Sequence, residues 1–166
     1  MKRKFTYTKD KPLVIIGFGN PLLLDEGAGI KSVEELDKRN LPDNVTLIDG
    51  GTSGLDIIPY LEEFDQVIII DCVKIPASEN GFVEFYLDDV ELNENDPFTV
   101  HELNVNSTIK LMEALEMNIP NIYFFGVHPQ NIDYGIGLSD SVEQSVQQIV
   151  NKIDHFVYQT DYKLSY

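Results

Sequence analysis

Leu13-Val14-Ile15-Ile16-Gly17-Phe18-Gly19-Asn20-Pro21-Leu22-Leu23-Leu24-Asp25-Glu26-Gly27-Ala28-Gly29 runs from an apolar segment, through a glycine-rich loop, to two acidic residues and a small-residue cluster. An apolar run followed by helical periodicity reads as a strand, a loop and the start of a helix. The same alternation continues along the chain. Strands are read at residues 13–17, 45–49, 67–71, 81–87 and 122–127, and helices near 27–39, 55–63, 102–117 and 139–158. Such alternation is the signature of βαβ units and a mostly parallel sheet, so the class is α/β with about five strands.

The link between residues 71 and 81 contains Pro76 and is too short for a parallel crossover, which needs about a dozen residues or more. The strand at 81–87 is therefore expected to be antiparallel. The remaining links carry helices, so right-handed crossovers place the first and third strands side by side, with the second outside the first. Residues 1–10 and the tail, 159–166, show weak patterning and are read as peripheral. Residues 93–97 form a polar, acidic bend ahead of the third helix.

At 166 residues the chain suits a single domain spanning 1–166. With 28 acidic and 12 basic side chains the net charge is -16, which repels phosphate backbones and anionic lipid, so nucleic acid is not an expected partner. The single cysteine, Cys72, forms no internal disulfide, and the N-terminal segment lacks the apolar stretch of a signal peptide. No apolar run approaches the roughly 20 residues that span a bilayer. A cytoplasmic protein without a membrane segment is expected.

In an open parallel sheet, ligands bind beyond the carboxyl ends of the strands, where the connections diverge to opposite faces. That rule selects the loops at 17–29, at 49–56 and from Asp71 onward. The glycines of the first loop suggest a dinucleotide fingerprint, yet Leu22 stands in place of the third glycine and Pro21 removes a donor. Asp25 and Glu26 also put negative charge where a phosphate would sit. Asp49 could still hold a ribose hydroxyl, which keeps a nucleotide-binding alternative open.

Carboxylates at a helix start also cap free N–H groups and complement the macrodipole, and for Asp25 that explanation stands beside function. Glu26, flanked by Gly27 and Gly29, is better placed to project into the crevice. Asp71 ends the all-aliphatic run Val67-Ile68-Ile69-Ile70, where a buried carboxylate needs compensation. His101, just before the third helix, supplies an imidazole. Two carboxylates and one imidazole suit a borderline divalent ion such as zinc, nickel or manganese. His128, before Pro129 at the end of the last strand, is a fourth candidate, and its alternative is an ordinary loop residue. Cys72 invites a thiol-nucleophile reading with His101 as base, but a side chain adjacent to Asp71 on a strand turns to the opposite, packed face. Ser53 lies in no nucleophile elbow, and His155 is given no role.

Together these residues resemble the hydrogenase maturation endopeptidase family. The resemblance is carried by Gly17-Phe18-Gly19-Asn20 with Asp25-Glu26-Gly27-Ala28-Gly29, by Asp49-Gly50-Gly51-Thr52, by Asp71 after an aliphatic strand, and by a histidine before the third helix, in that order. It implies a three-layer α/β sandwich around a twisted five-stranded sheet, with Glu26, Asp71 and His101 as the metal-contacting residues. It further implies recognition of nickel already held by a hydrogenase large-subunit precursor, and removal of that precursor's C-terminal extension. Catalytic chemistry would rest on Glu26, Asp71 and Asp25, and substrate contacts on Asn20, Asp49, Gly50, Gly51, Thr52 and His128. A monomer is implied, with a divalent ion such as zinc or cadmium possible in the isolated protein. One departure is His128-Pro129, where the family often has glutamine before the proline. A non-catalytic nickel-binding chaperone acting on the same precursor is the competing reading.

Overall fold

Each apolar run becomes a strand in the computed structural model, which describes residues 5–74, 79–89, 102–159 and 164. The strands are β1 (Leu13–Phe18), β2 (Val45–Gly51), β3 (Gln66–Cys72), β4 (Phe82–Tyr86) and β5 (Asn121–Val127). The helices are α1 (Ala28–Asp37), α2 (Ile58–Glu63), α3 (Glu102–Ala114) and α4 (Asp140–Tyr158). A 3-10 turn, Leu24–Gly27, leads into α1, and another, Leu55–Ile57, leads into α2.

The five strands form one sheet in the order β2-β1-β3-β5-β4. β1 lies between β2 and β3, parallel to both, as the crossover argument requires. β4 runs antiparallel to β5 at the sheet edge, which matches the short link before it. Period-2 alternation gives the sheet two apolar faces. Leu13, Ile15, Ile68, Ile70 and Phe125 pack with Leu36 of α1 and Ile149 and Ile153 of α4. Val14, Ile16, Val67, Ile69 and Phe124 pack with Leu61 of α2 and Ile109 and Met112 of α3. The result is a three-layer α/β sandwich.

Close approach of α1 to the sheet depends on glycine. A Cβ at Gly29 would lie 2.2 Å from the Phe18 carbonyl oxygen and 2.3 Å from that of Ile70. With hydrogen there instead, the helix start sits directly on the β1/β3 junction, and the 3-10 turn before it is carried over the carboxyl ends of those strands.

Phe5, Tyr7 and Leu164 depart from the expected periphery. Phe5 and Leu164 are fully buried, and the Phe5 N–H donates to the Leu164 carbonyl at 3.3 Å. The Phe5 ring lies 5.6 Å from both Tyr123 and Phe156, and Tyr7 lies 5.8 Å from Phe156. Isolated aromatic anchors close the layer between α4 and the sheet. They generate no periodic signal, so the sequence reading passed over them. The acidic bend at 93–97 lies outside the described residues.

Candidate active site at the carboxyl ends of the strands

The chain leaves β1 toward β2 on one side, and β3 leads on to β4 and β5 on the other, so the strand order reverses between β1 and β3. That reversal opens the crevice in which α/β sheets bind ligands. The loop after β1 is shaped over it by its own backbone. The Gly19 N–H donates to the Gly51 carbonyl at 2.9 Å, pinning the loop to the end of β2. Asn20 closes the turn: its side-chain Oδ1 accepts from the Leu22 N–H at 3.0 Å, and its backbone carbonyl accepts from Leu23 at 3.0 Å. Leu24, at φ 48°, takes the left-handed conformation that non-glycine residues rarely adopt, and its N–H donates to the Gly135 carbonyl. This strained residue delivers Asp25 and Glu26 into the crevice, both buried.

The two neighbouring acids have different surroundings. Asp25 accepts four hydrogen bonds: to Oδ2 from the Gln130 and Asn131 N–H groups and the Ser139 hydroxyl, each at 2.8 Å, and to Oδ1 from the Ser139 N–H at 2.7 Å. Its backbone N–H donates to the Asn131 carbonyl at 3.0 Å. Asp25 thereby ties the turn to the segment between β5 and α4. These bonds give Asp25 a structural task, holding the turn, beside the catalytic one expected of it. Ser139, which stands at the N-cap of α4, makes no side-chain capping bond and directs its hydroxyl to Asp25 instead.

Glu26 is 4% exposed and Asp71 1% exposed, so the crevice holds two buried carboxylates besides Asp25. Asp71 Oδ1 accepts from the Cys72 N–H at 2.7 Å. Cys72 turns to the opposite face, where it is buried with the α1/α4 cluster, and its thiol donates to the Asp25 carbonyl at 2.9 Å. Burial, then the negative charges of Asp71, Asp25 and Glu26, push the thiol pKa well above its ordinary value. Those same electrostatic influences place all three carboxylates around the end of β3. A thiolate nucleophile is disfavoured there, in line with a structural cysteine.

His101 lies outside the described residues. Among the described residues, no group of three or more His, Cys, Asp or Glu side chains is arranged to hold a metal ion. His128 follows directly after β5, half-buried, and its backbone N–H donates to the Gly81 carbonyl at 3.0 Å. Asp71 pairs with Gly126 across β3 and β5, so His128 sits two residues beyond Asp71's partner on the adjacent strand.

Beyond β2, Asp49, Gly50, Gly51 and Thr52 line a cavity of about 370 Å³ together with Asp56 and Tyr60. Asp49 Oδ1 accepts from the Gly51 N–H at 2.8 Å, closing a turn in which Gly51 holds φ 54°. Gly51 faces open space where a side chain would stand. The turn therefore offers bare backbone to whatever enters the cavity. Asp49 uses Oδ1 in that turn, and Asp25 and Glu26 occupy the helix start where a pyrophosphate would bind.

Sequence reasoning missed the partners of Asp25, because three of its four bonds come from backbone N–H groups more than 100 positions away. A serine immediately before α4 was the only local sign, and it reads as an ordinary cap.

Comparison with known proteins adds a second line of observation. A family profile described as hydrogenase maturation protease matches residues 30–155. Hydrogenase expression/formation protein HupD of Bradyrhizobium diazoefficiens is 31% identical over 145 residues, covering 85% of this chain and 75% of the relative. Hydrogenase 2 maturation protease of Escherichia coli is 27% identical over 143 residues, covering 85% of this chain and 87% of the relative. Among solved structures, the hydrogenase maturating endopeptidase HybD from Escherichia coli superposes with a TM-score of 0.76 at 24% identity, covering 93% of this chain and 97% of that one. That last likeness is one of fold.

Proposed function

Because the chain belongs to the hydrogenase maturation protease family and is a peptidase hydrolase, we propose that it removes the C-terminal extension of a nickel-loaded hydrogenase large-subunit precursor and recognises the bound nickel. The observation that carries the reading is the pair Glu26 and Asp71, far apart in sequence and both buried at the strand-order reversal. Crowded negative charge in a crevice favours a cation, and carboxylates with an imidazole suit a borderline divalent ion. Glu26, Asp71 and His101 are assigned to contact the nickel that the precursor carries in. The same donors would accept zinc or cadmium in the isolated protein.

Hydrolysis adds water across the scissile bond: hydroxyl to the carbonyl carbon, a proton to the departing amine. Nickel carried by the precursor and contacted by Glu26, Asp71 and His101 would supply positive charge to polarise the carbonyl. Glu26 is assigned the proton transfer, a contribution of about 10²–10⁴-fold in rate. Asp25 holds the turn that positions it. Gly50, Gly51 and Thr52 offer backbone to the precursor's tail, with Asn20, Asp49 and His128 bordering its path. A protease whose site is completed by its substrate's metal leaves an empty precursor uncut. We place the protein in the cytoplasm, acting as a monomer.

The test is mass spectrometry of the precursor after incubation with purified protein. The nickel-loaded form should lose a C-terminal fragment while the nickel-free form keeps its mass. Equal cleavage of both would remove the nickel-recognition step. A stable complex with unchanged mass would favour the non-catalytic chaperone. Glu26→Ala and Asp71→Ala should each stop processing while the fold persists.

A further inference from the structure

The segment between β5 and α4 exposes large apolar side chains beside the site. Tyr134 is 92% exposed, Ile136 85%, Leu22 61% and Ile132 44%. They form one surface because the two segments carrying them are joined: Leu23 bridges Gly135 in parallel, the Gly135 N–H donates to the Leu22 carbonyl at 2.9 Å, and the Leu24 N–H donates back to Gly135. This surface adjoins Asp25 and Glu26. Apolar side chains grouped in this way on a protein surface mark an interaction site, and tyrosine is favoured in such sites. Asp25 clamps the segment at both ends, so its backbone has less conformational entropy to lose on binding.

The charge around the patch identifies its occupant. The two joined stretches, residues 19–25 and 128–140, contain no lysine or arginine, whereas Asp133 and Asp140 in the second are exposed. A second copy of this chain would bring like charges together. An apolar segment carrying lysine or arginine would meet complementary charge. We infer that Leu22, Ile132, Tyr134 and Ile136 form the docking surface for an apolar, basic segment of the precursor, outside the tail that is cut. This rests on the function proposed above.

Binding of the nickel-free hydrogenase large-subunit precursor, which is left uncut, measured by calorimetry, tests it. Tyr134→Ser combined with Ile136→Ser should weaken affinity about tenfold or more, since truncated central anchors commonly cost that much. Asp133→Lys should also weaken it. Leu115→Ser, which removes a comparably exposed leucine beyond the end of α3, should bind as wild type. Tyr134→Ser alone serves if the double variant loses its melting transition. Unchanged affinity in these variants, no binding by wild type, or a wild-type dimer that the double variant converts to monomer would each overturn the proposal. Binding is read independently of cleavage. Wild type that binds through this face but never cuts would retire the proteolysis and leave the docking surface standing, whereas cutting with unaltered variant binding would do the reverse.

Discussion

Asp71 and Cys72 are neighbours on one strand with opposite fates. Alternation sends the carboxylate to the crevice and the thiol into the α1/α4 cluster, as the sequence pattern predicts. The thiol then carries a raised pKa, caused first by burial and next by Asp71, Asp25 and Glu26. The consequence for stability has a definite sign. Below the pKa of an unfolded thiol, about 8.5, both states hold the proton and Cys72 confers no pH dependence. Above it the unfolded chain loses the proton while the folded chain keeps it, so stability should fall by about 1.4 kcal/mol per pH unit until the folded pKa is reached. Urea unfolding followed from about pH 7 to about pH 10 should show no contribution from Cys72 below about 8.5 and a decline over the remaining roughly 1.5 units in wild type, with a smaller one in Cys72→Ala. Identical pH profiles would sink the argument, as would rapid alkylation of the native thiol.

At the scale of elements, the site is assembled by tethers between pieces that are remote in sequence. Asp25 fastens the 3-10 turn Leu24–Gly27 to the start of α4, with four donors and no acceptor among these partners. Asp25→Asn would turn an amide donor toward those donors. With the amide oxygen kept at the Oδ2 position, only the Ser139 N–H bond to Oδ1 is lost; hydrogen bonds to charged groups contribute about 1.5–3 kcal/mol each, so the variant should lose about that much stability. Ser139→Ala removes one donor and should cost about 1.5–3 kcal/mol. Denaturant unfolding measures both. Unchanged stability with abolished processing in Asp25→Asn would instead make Asp25 a reacting group. The strands and helices themselves were legible, since each has a period of 2 or 3.6 within a few residues. The tether was not, because a backbone N–H donor has no letter in the sequence.

At the scale of the molecule, Phe5 and Leu164 complete the core. Phe5 sits among Tyr86, Tyr123 and Phe156, with ring centroids 6.4, 5.6 and 5.6 Å away. Phe5→Ala should therefore cost about 3–5 kcal/mol, the range for removing a buried aromatic ring. A calorimetric melt showing no change would return the N-terminal segment to the periphery. The charge of -16 shapes the outer surface without deciding the fold, and exposed Asp133 and Asp140 lie in the same segment as the exposed apolar residues.

Local periodicity and link length determined the class, the five strands, the antiparallel edge and the pairing of the first strand with the third, because these follow from a few neighbouring residues and from how far a chain can reach. Tertiary structure decided what proximity alone can: that Asp25 is held while Glu26 borders the crevice, that Phe5 is interior, and that Tyr134 and Ile136 stand beside the site. Those outcomes depend on burial and on backbone donors brought from the other end of the chain, and burial belongs to the packed whole.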